Sequence, residues 1–109
     1  MTIKTIFLDR DGVINKEVDY LYKIKDFEFI DGIFEACLHF KSLDYHIVIV
    51  TNQSGIARNL YKDDDYQALT IWMLEEFRKN NIKIPKKFII RQKMQQSLHQ
   101  VQCKRNSVR

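Results

Sequence analysis

No aspartate or glutamate follows Glu76 in this chain of 109 residues. Any chemistry that needs a carboxylate must draw it from the part before that point. No stretch approaches the roughly 18 consecutive apolar residues of a membrane-spanning helix, so no membrane partner is expected. No signal-like segment precedes the first apolar run, which begins at Ile3. Cys37 and Cys103 form no C-x-x-C pair and no disulfide framework. A reduced, cytoplasmic setting is therefore expected.

The net charge of +4 hides a break in composition. Residues 1–82 carry ten lysines and arginines against fourteen acids, whereas residues 83–109 carry eight lysines and arginines and no acid. The break predicts a domain over 1–84 and a basic, poorly ordered tail over 85–109. Phe88-Ile89-Ile90 has the composition of a short strand, but apolar residues are sparse beyond it. His99 and Cys103 stand four apart, as two metal ligands on a helix would, yet a structural zinc site takes four. A basic excess can meet nucleic acid or anionic lipid. No aromatic platform or recognition motif accompanies it here, so nucleic acid is not expected as a partner.

What is present is concentrated in residues 3–15. Ile3, Thr5, Ile6, Phe7 and Leu8 read as a buried strand. It ends in Asp9 and Asp11, then Gly12, which can turn the chain at a positive φ. Residues two apart on an extended backbone point the same way. Asp9 and Asp11 should then face one spot, with Arg10 turned away. Two carboxylates so close repel unless a cation or a proton intervenes. Hard oxygen ligands suit Mg²⁺, which also engages substrate phosphates. The local chemistry is that of a carboxylate nucleophile, a neighbouring acid/base and a cation clamp on a phosphoryl group. A solvent-exposed Asp-Arg-Asp-Gly turn is the plainer alternative, and the tetrapeptide alone favours it.

The remaining elements supply context. Residues 13–30 read as a loop or short hairpin across the mouth of the site. Phe27, Phe29 and Ile30 should pack beneath it, with Glu17, Asp19 and Tyr20 facing solvent. Ile33, Ala36, Cys37, Phe40 and Leu43 form an apolar stripe that predicts a helix over 32–44, with Asp31 at its N-cap. His46-Ile-Val-Ile-Val50 predicts a second parallel strand buried on both faces, completing a βαβ unit. It runs into Thr51-Asn52-Gln53-Ser54-Gly55, beside the first strand's acids. Hydroxyl, amide and backbone N–H groups there suit a phosphate, although such residues also serve as caps. A second helix is predicted over 63–81, with Tyr66, Leu69, Met73 and Phe77 inward and Trp72 beside them. Asp63–Asp65 favour its positive N-terminus, and Asn80-Asn81 end it.

Residues 7–15 (FLDRDGVIN) and 50–58 (VTNQSGIAR) together resemble the motifs of the haloacid dehalogenase superfamily of phosphohydrolases. The branch they most resemble holds the D-glycero-D-manno-heptose 1,7-bisphosphate 7-phosphatases and the histidinol-phosphate phosphatases. FEFIDG at 27–32 is similar to the same branch. The resemblance implies an α/β fold: a truncated Rossmann-like parallel sheet of the haloacid dehalogenase type with flanking helices. It implies Asp9 as the nucleophile that becomes an aspartyl phosphate, and Asp11 as the general acid/base. It implies Mg²⁺ held by the Asp9 side chain and the Asp11 backbone carbonyl. Thr51 and Asn52 match its phosphate-binding segment, continued by Gln53 and Ser54. Glu17, Val18, Asp19 and Tyr20 match the loop that contacts the sugar in the heptose enzymes. Asn59 stands where a glycine is usual, a mild departure since Asn tolerates the left-handed region.

Other family parts are not recognisable. These are the basic residue after the second helix region, the later acidic motif that completes the Mg²⁺ shell, and the Cys/His loop that holds zinc. Lys86, Lys87 and Lys93 lack the matching context, and zinc is not expected. The expectation is the N-terminal half of such a phosphatase followed by an unrelated tail, as a frameshift or premature stop would leave. The first strand would then be an exposed apolar edge, open to self-association. Turnover should be strongly reduced, since positioning and charge do most of the work in phosphoryl transfer. The expected function is thus a Mg²⁺-dependent phosphatase on a small phosphorylated sugar. The alternatives are histidinol phosphate as substrate, a catalytically dead phosphate-binding domain, and a basic-tailed nucleic-acid binder.

Overall fold

A computed structural model describes residues 3–52 and 61–92. The expectations for Gln53, Ser54, Asn59, His99 and Cys103 fall outside these described residues. Strand β1 (Lys4–Asp9) lies parallel to β2 (Tyr45–Asn52), in register from Lys4↔Tyr45 to Asp9↔Val50. β2 pairs in parallel with β3 (Ile89–Gln92), from Ile49↔Ile89 to Asn52↔Gln92. The sheet order is β1-β2-β3. All three strands therefore end at the same edge, which carries Asp9, Asn52 and Gln92. β2 is central and its residues Ile47 to Thr51 are buried in an unbroken run. This is what an apolar, β-branched strand with no polar alternation predicts.

Helix α1 (Ile33–Ser42) connects β1 to β2, and α2 (Asp63–Lys79) lies between β2 and β3 in the chain. Ile33 and Cys37 of α1 join Leu69, Met73 and Phe77 of α2 in one buried cluster with Ile47 and Ile49. Both helices thus pack on the sheet face that carries Ile47 and Ile49. The α1 stripe is turned slightly from its predicted setting. Ala36 and Leu43 are exposed, and Phe34 takes their place, packed at 4.7 Å from Phe29 and 5.3 Å from Phe77. A phenyl ring buries far more apolar area than a methyl group, so the helix settles on Phe34. The α1 N-cap is Gly32 at φ 87°, not Asp31, because the chain enters from a turn closed by Ile33 N–H to Ile30 O.

Helix α2 has a well-defined start and stop. The Asp65 carboxylate accepts the backbone N–H of Lys62 at 2.9 Å, and Asp63 pairs with Arg91 at 2.6 Å. The acids at this end are accounted for by capping and charge pairing. At the other end Asn81 sits at φ 65°, with Asn81 N–H bonded to Arg78 O and Ile82 N–H to Phe77 O. That is a Schellman stop, and Ile82 and Phe77 meet in the core beneath it.

The compositional boundary at 84/85 does not divide the fold. The 3₁₀ turn Lys86–Phe88 and β3 continue the same sheet. Ile84 is buried, and Phe88 and Ile89 pack against the core, so apolar content overrides the change in charge. The expectation of a poorly ordered tail is corrected for residues 86–92; residues 93–109 lie outside the described part. β1 lies at a sheet edge among the described residues, with Ile3 75% and Phe7 54% exposed.

Candidate active site

β1 ends at Asp9, and the chain then winds around its own carbonyl. The N–H groups of Val13, Ile14 and Asn15 all point at Arg10 O, at 3.4, 2.9 and 3.0 Å. Gly12, at φ 89°, makes this turn possible and donates its N–H to Asn15 O at 2.8 Å. The turn brings the buried Asn15 side chain back to Asp11, with Nδ2 donating to Oδ1 at 3.1 Å. Residues 14–16 then pair antiparallel with 28–30 through Lys16 N–H to Glu28 O and Ile30 N–H to Ile14 O. The segment 13–30 is thus a hairpin-like loop, as its mixed pattern predicts. Phe27 is buried under it, edge-on to Phe29 and Trp72 at 4.8 and 5.3 Å.

Above the carboxyl edge of the sheet lies an open cleft of about 290 Å³. Asp11, Glu17, Val18, Asp19, Tyr20 and Asn52 line it, together with Arg10, Leu21 and Tyr61. Six side chains singled out from the sequence are therefore brought together. Tyr20 holds φ at 54°, an uncommon backbone for an aromatic residue, on the cleft wall. Tyr61 is 7% exposed and stacks nearly flat on Tyr22 at 5.3 Å. Burial pushes the Tyr61 hydroxyl's pKa up; Arg10 and Arg91 pull it down, and Asp11 and Tyr66 add to the rise.

Two expected site residues stand apart from the cleft lining. Asp9 occupies the tip of β1, opposite Val50. Its carboxylate has no hydrogen bond or ion pair among the described residues. Thr51 is 1% exposed, and its hydroxyl lies 3.3 Å from the Tyr66 hydroxyl. Residues two apart share a face of a strand. Thr51 therefore follows Ile47 and Ile49 onto the helix-covered side, where its hydroxyl is used inside the fold.

Arg10 corrects a sequence expectation. It does fall on the opposite strand face from Asp9, yet it is not turned away from the site. It is 2% exposed, with Nε and Nη2 directed at Asp11 at 3.3 and 3.4 Å. Strand alternation stops at Asp9, and the turn carries Asp11 back over the guanidinium. Arg10, Leu21 and Tyr61 are the cleft residues that sequence reasoning missed. Arg10 was legible as part of the Asp-Arg-Asp-Gly turn had the alternation been ended at the last strand residue. Tyr61 lies fifty positions from Asp11 and carries no local signal.

The donor chemistry fits a hard divalent cation. Asp9 and Asp11 offer oxygen ligands, and no thiol or imidazole lines the cleft among the described residues. Among the described residues no three His, Cys, Asp or Glu side chains converge as a complete ligand set. Mg²⁺ needs no such cage, since it commonly takes one or two carboxylates and keeps waters and substrate oxygens.

No family model matches the chain. It is 57% identical over 86 residues to the D-glycero-alpha-D-manno-heptose-1,7-bisphosphate 7-phosphatase of Campylobacter jejuni, covering 79% of this chain and 50% of that protein. It is 48% identical over 82 residues to the corresponding Photorhabdus laumondii enzyme, covering 75% and 45%. Its fold matches the D,D-heptose 1,7-bisphosphate phosphatase of B. bronchiseptica, solved with magnesium and phosphate, at TM-score 0.73 and 28% identity, over 83% of this chain and 50% of that one. The Burkholderia thailandensis D,D-heptose 1,7-bisphosphate phosphatase matches at TM-score 0.59 and 28% identity, over 84% and 52%. By fold and sequence the chain is similar to haloacid dehalogenase-like phosphatases. Within that class its likeness is to the heptose-1,7-bisphosphate 7-phosphatases, and it spans about half the length of the curated relatives it matches.

Proposed function

We propose that this chain carries the nucleophile and acid/base part of a Mg²⁺-dependent phosphatase acting on a small phosphorylated sugar, with heptose 1,7-bisphosphate as the substrate and the 7-phosphate as the group removed. The observation that supports this best is the cleft itself. Asp11, Asn52 and the 17–20 loop meet in one cleft at the carboxyl edge of a parallel sheet, where such sheets bind ligands.

In this reading Asp9 attacks phosphorus, forming an O–P bond to its carboxylate as the bond to the sugar oxygen breaks. Asp11 gives its proton to the departing alkoxide. It then takes a proton from the water that cleaves the aspartyl phosphate, returning Asp9 and releasing inorganic phosphate. Mg²⁺, held by Asp9 and Asp11, would offset the phosphoryl charge. Asn52 donates to a phosphoryl oxygen, and Glu17 and Asp19 accept from sugar hydroxyls.

A second reading is a domain that binds the phosphorylated sugar without turning it over. The engagement of Thr51 with Tyr66, and the position of Asp9 outside the cleft lining, favour it. The exposed Phe7 on the β1 edge favours self-association in either case. Phosphate release from heptose bisphosphate and from histidinol phosphate, with Mg²⁺ or with a chelator, separates the readings. Mg²⁺-dependent release that Asp9→Asn abolishes supports the phosphatase. Binding of the sugar phosphate with no release supports the second reading.

A further inference from the structure

The two faces of the sheet are covered unequally. Ile6, Leu8, Ile47, Ile49 and Ile89 pack into the core beneath α1 and α2. Alternate residues of a strand face opposite ways. Thr5 and Phe7, then His46, Val48 and Val50, then Ile90 therefore make up the other face. Neither α1 nor α2 packs on it. Val48 and Val50 of the central strand are 8% and 6% exposed. Phe7 and Ile90, in register with them on the flanking strands, are 54% and 44% exposed. The face is thus an apolar floor between two raised apolar side chains. A contiguous exposed apolar patch commonly marks an interaction surface.

Chemistry and shape narrow the occupant. No lysine, arginine or glutamate stands in the strand rows of this face, and its one carboxylate, Asp9, lies at the tip of β1. A highly charged partner finds no counter-charge in the middle of it. The floor is open, so it does not enclose a small apolar ligand as a pocket would. A low central strip with a raised side chain on each flank is complementary to a copy of itself, the relief that a two-fold interface requires. Sheets stack face to face about 10 Å apart, with the side chains between them interdigitated. Three strands make this face about 14 Å wide, and six residues of β1 make it about 20 Å long. A pair of that size buries less than about 1,200 Å², the range of weak, reversible assemblies. A dimer in exchange with monomer follows, not an obligate one.

We propose that this face is an interface between two copies of the chain, packed sheet on sheet about a two-fold axis, with Phe7 of each copy seated over Val48 and Val50 of the other. Contact is made by side chains across the faces and needs no backbone pairing along the β1 edge. The two modes of association differ in the residues that matter. Edge pairing uses the N–H and C=O groups of β1 and is indifferent to His46 and Ile90, which stand on β2 and β3. Face packing covers both. The proposal does not depend on the phosphatase reading, since neither phosphate nor metal enters the interface.

The test uses the whole chain. Sedimentation equilibrium from about 10 µM to about 1 mM should show a reversible monomer–dimer equilibrium. Ile90→Lys and His46→Glu should each raise the dissociation constant by about tenfold or more, because the two-fold axis buries each new charge twice. A mixed sample gives the contact directly. Copies with ¹³C-labelled valine methyls are combined with copies that carry protonated phenylalanine in a deuterated background. Magnetisation should pass between copies from Phe7 to the Val48 and Val50 methyls. A monomer over the whole concentration range overturns the proposal, as does growth beyond a dimer. So does association unchanged in folded Ile90→Lys and His46→Glu proteins, which would indicate pairing along the edge. Contacts to Val48 and Val50 that arise only within one copy, from residues 93–109, also overturn it. The wild-type mixed sample decides even if both variants fail to fold.

Discussion

The Asn15 side-chain amide joins two parts of one turn: Nδ2 donates to Asp11 Oδ1 at 3.1 Å and to the Lys16 carbonyl at 2.9 Å. Asn15 is fully buried, while Asp11 reaches the cleft. The orientation of a half-buried carboxylate is thus set by a side chain fully enclosed in the fold. Asn15→Ala should cost roughly 1–3 kcal/mol through the buried groups it leaves unpaired. Asn15→Asp should cost more, because it sets a second carboxylate against Asp11. Chemical denaturation of the two variants measures the difference. Equal stability of Asn15→Ala and wild type would contradict this account of the turn.

The stop of α2 depends on a single backbone conformation. Asn81 lies at φ 65°, in the left-handed region. Asn81→Gly should be neutral or stabilising, because glycine adopts that region without penalty. Asn81→Val should cost about 1–2 kcal/mol, the strain of a side-chain-bearing residue held there. Thermal melts order the three proteins as Gly, Asn, Val if the Schellman turn matters as described.

Burial pushes the Cys37 thiol up to about 11 from the ordinary 9.0, with Lys41 pulling weakly the other way. Below the ordinary value the thiol is neutral in both states and contributes no pH dependence. Between the two values the folded chain holds a proton that the unfolded chain has lost, so stability falls as pH rises through that window. The shift corresponds to roughly 2–3 kcal/mol. Cys37→Ala should flatten the fall, at the cost of a small cavity. Tyr61, which burial raises in the same direction, contributes to the rest of the fall. Urea unfolding of both proteins at pH values of about 8 and about 10.5 tests this. The same burial predicts that Cys37 resists alkylation in the folded state.

Phe7 lies on the β1 edge strand in register with Val48, and Ile90 lies in register with Val50 on the neighbouring pair. Phe7 and Ile90 are 54% and 44% exposed, a patch on the sheet face opposite the helices. Phe7→Lys should reduce self-association, since a charge on an edge strand opposes pairing with another chain. Light scattering over a concentration series reads this directly. Unchanged mass distributions for Phe7→Lys would mean that the edge plays no part.

Phe77 ends the inward stripe of α2 and is fully buried, edge-on to Phe29 and Phe34 at 5.7 and 5.3 Å. Phe77→Ala should cost about 3–5 kcal/mol, enough to unfold a domain of ordinary stability in part or whole. Phe77→Leu should cost less, because it keeps most of the volume. Circular dichroism melts separate the two.

The strands and helices were legible because their signals are local. A β-branched run such as Ile47–Val50, a stripe such as Tyr66, Leu69, Met73 and Phe77, and an Asn-Asn stop each depend on neighbours within a turn or two. The paired motifs were legible for a related reason. Parallel strands share an edge, so the residues just beyond each strand arrive at the same place. That is enough to bring Asp11, Asn52 and the 17–20 loop together. The charge break at 84/85 misled, because β3 is held by Phe88 and Ile89 and not by the charges around them.

Side-chain direction at the strand ends was settled only by the tertiary structure. Strand alternation holds while the backbone is extended, and β1 stops being extended after Asp9. From there the turn around the Arg10 carbonyl decides that Arg10 meets Asp11. The packing of α2 decides that the Thr51 hydroxyl meets Tyr66. Tyr61 reaches the cleft from fifty residues away because α2 and β2 set where its chain begins. Sequence alone determined which groups gather at the sheet edge, since that is a consequence of strand direction. Which of them point into the cleft depended on long-range packing, which no local pattern encodes.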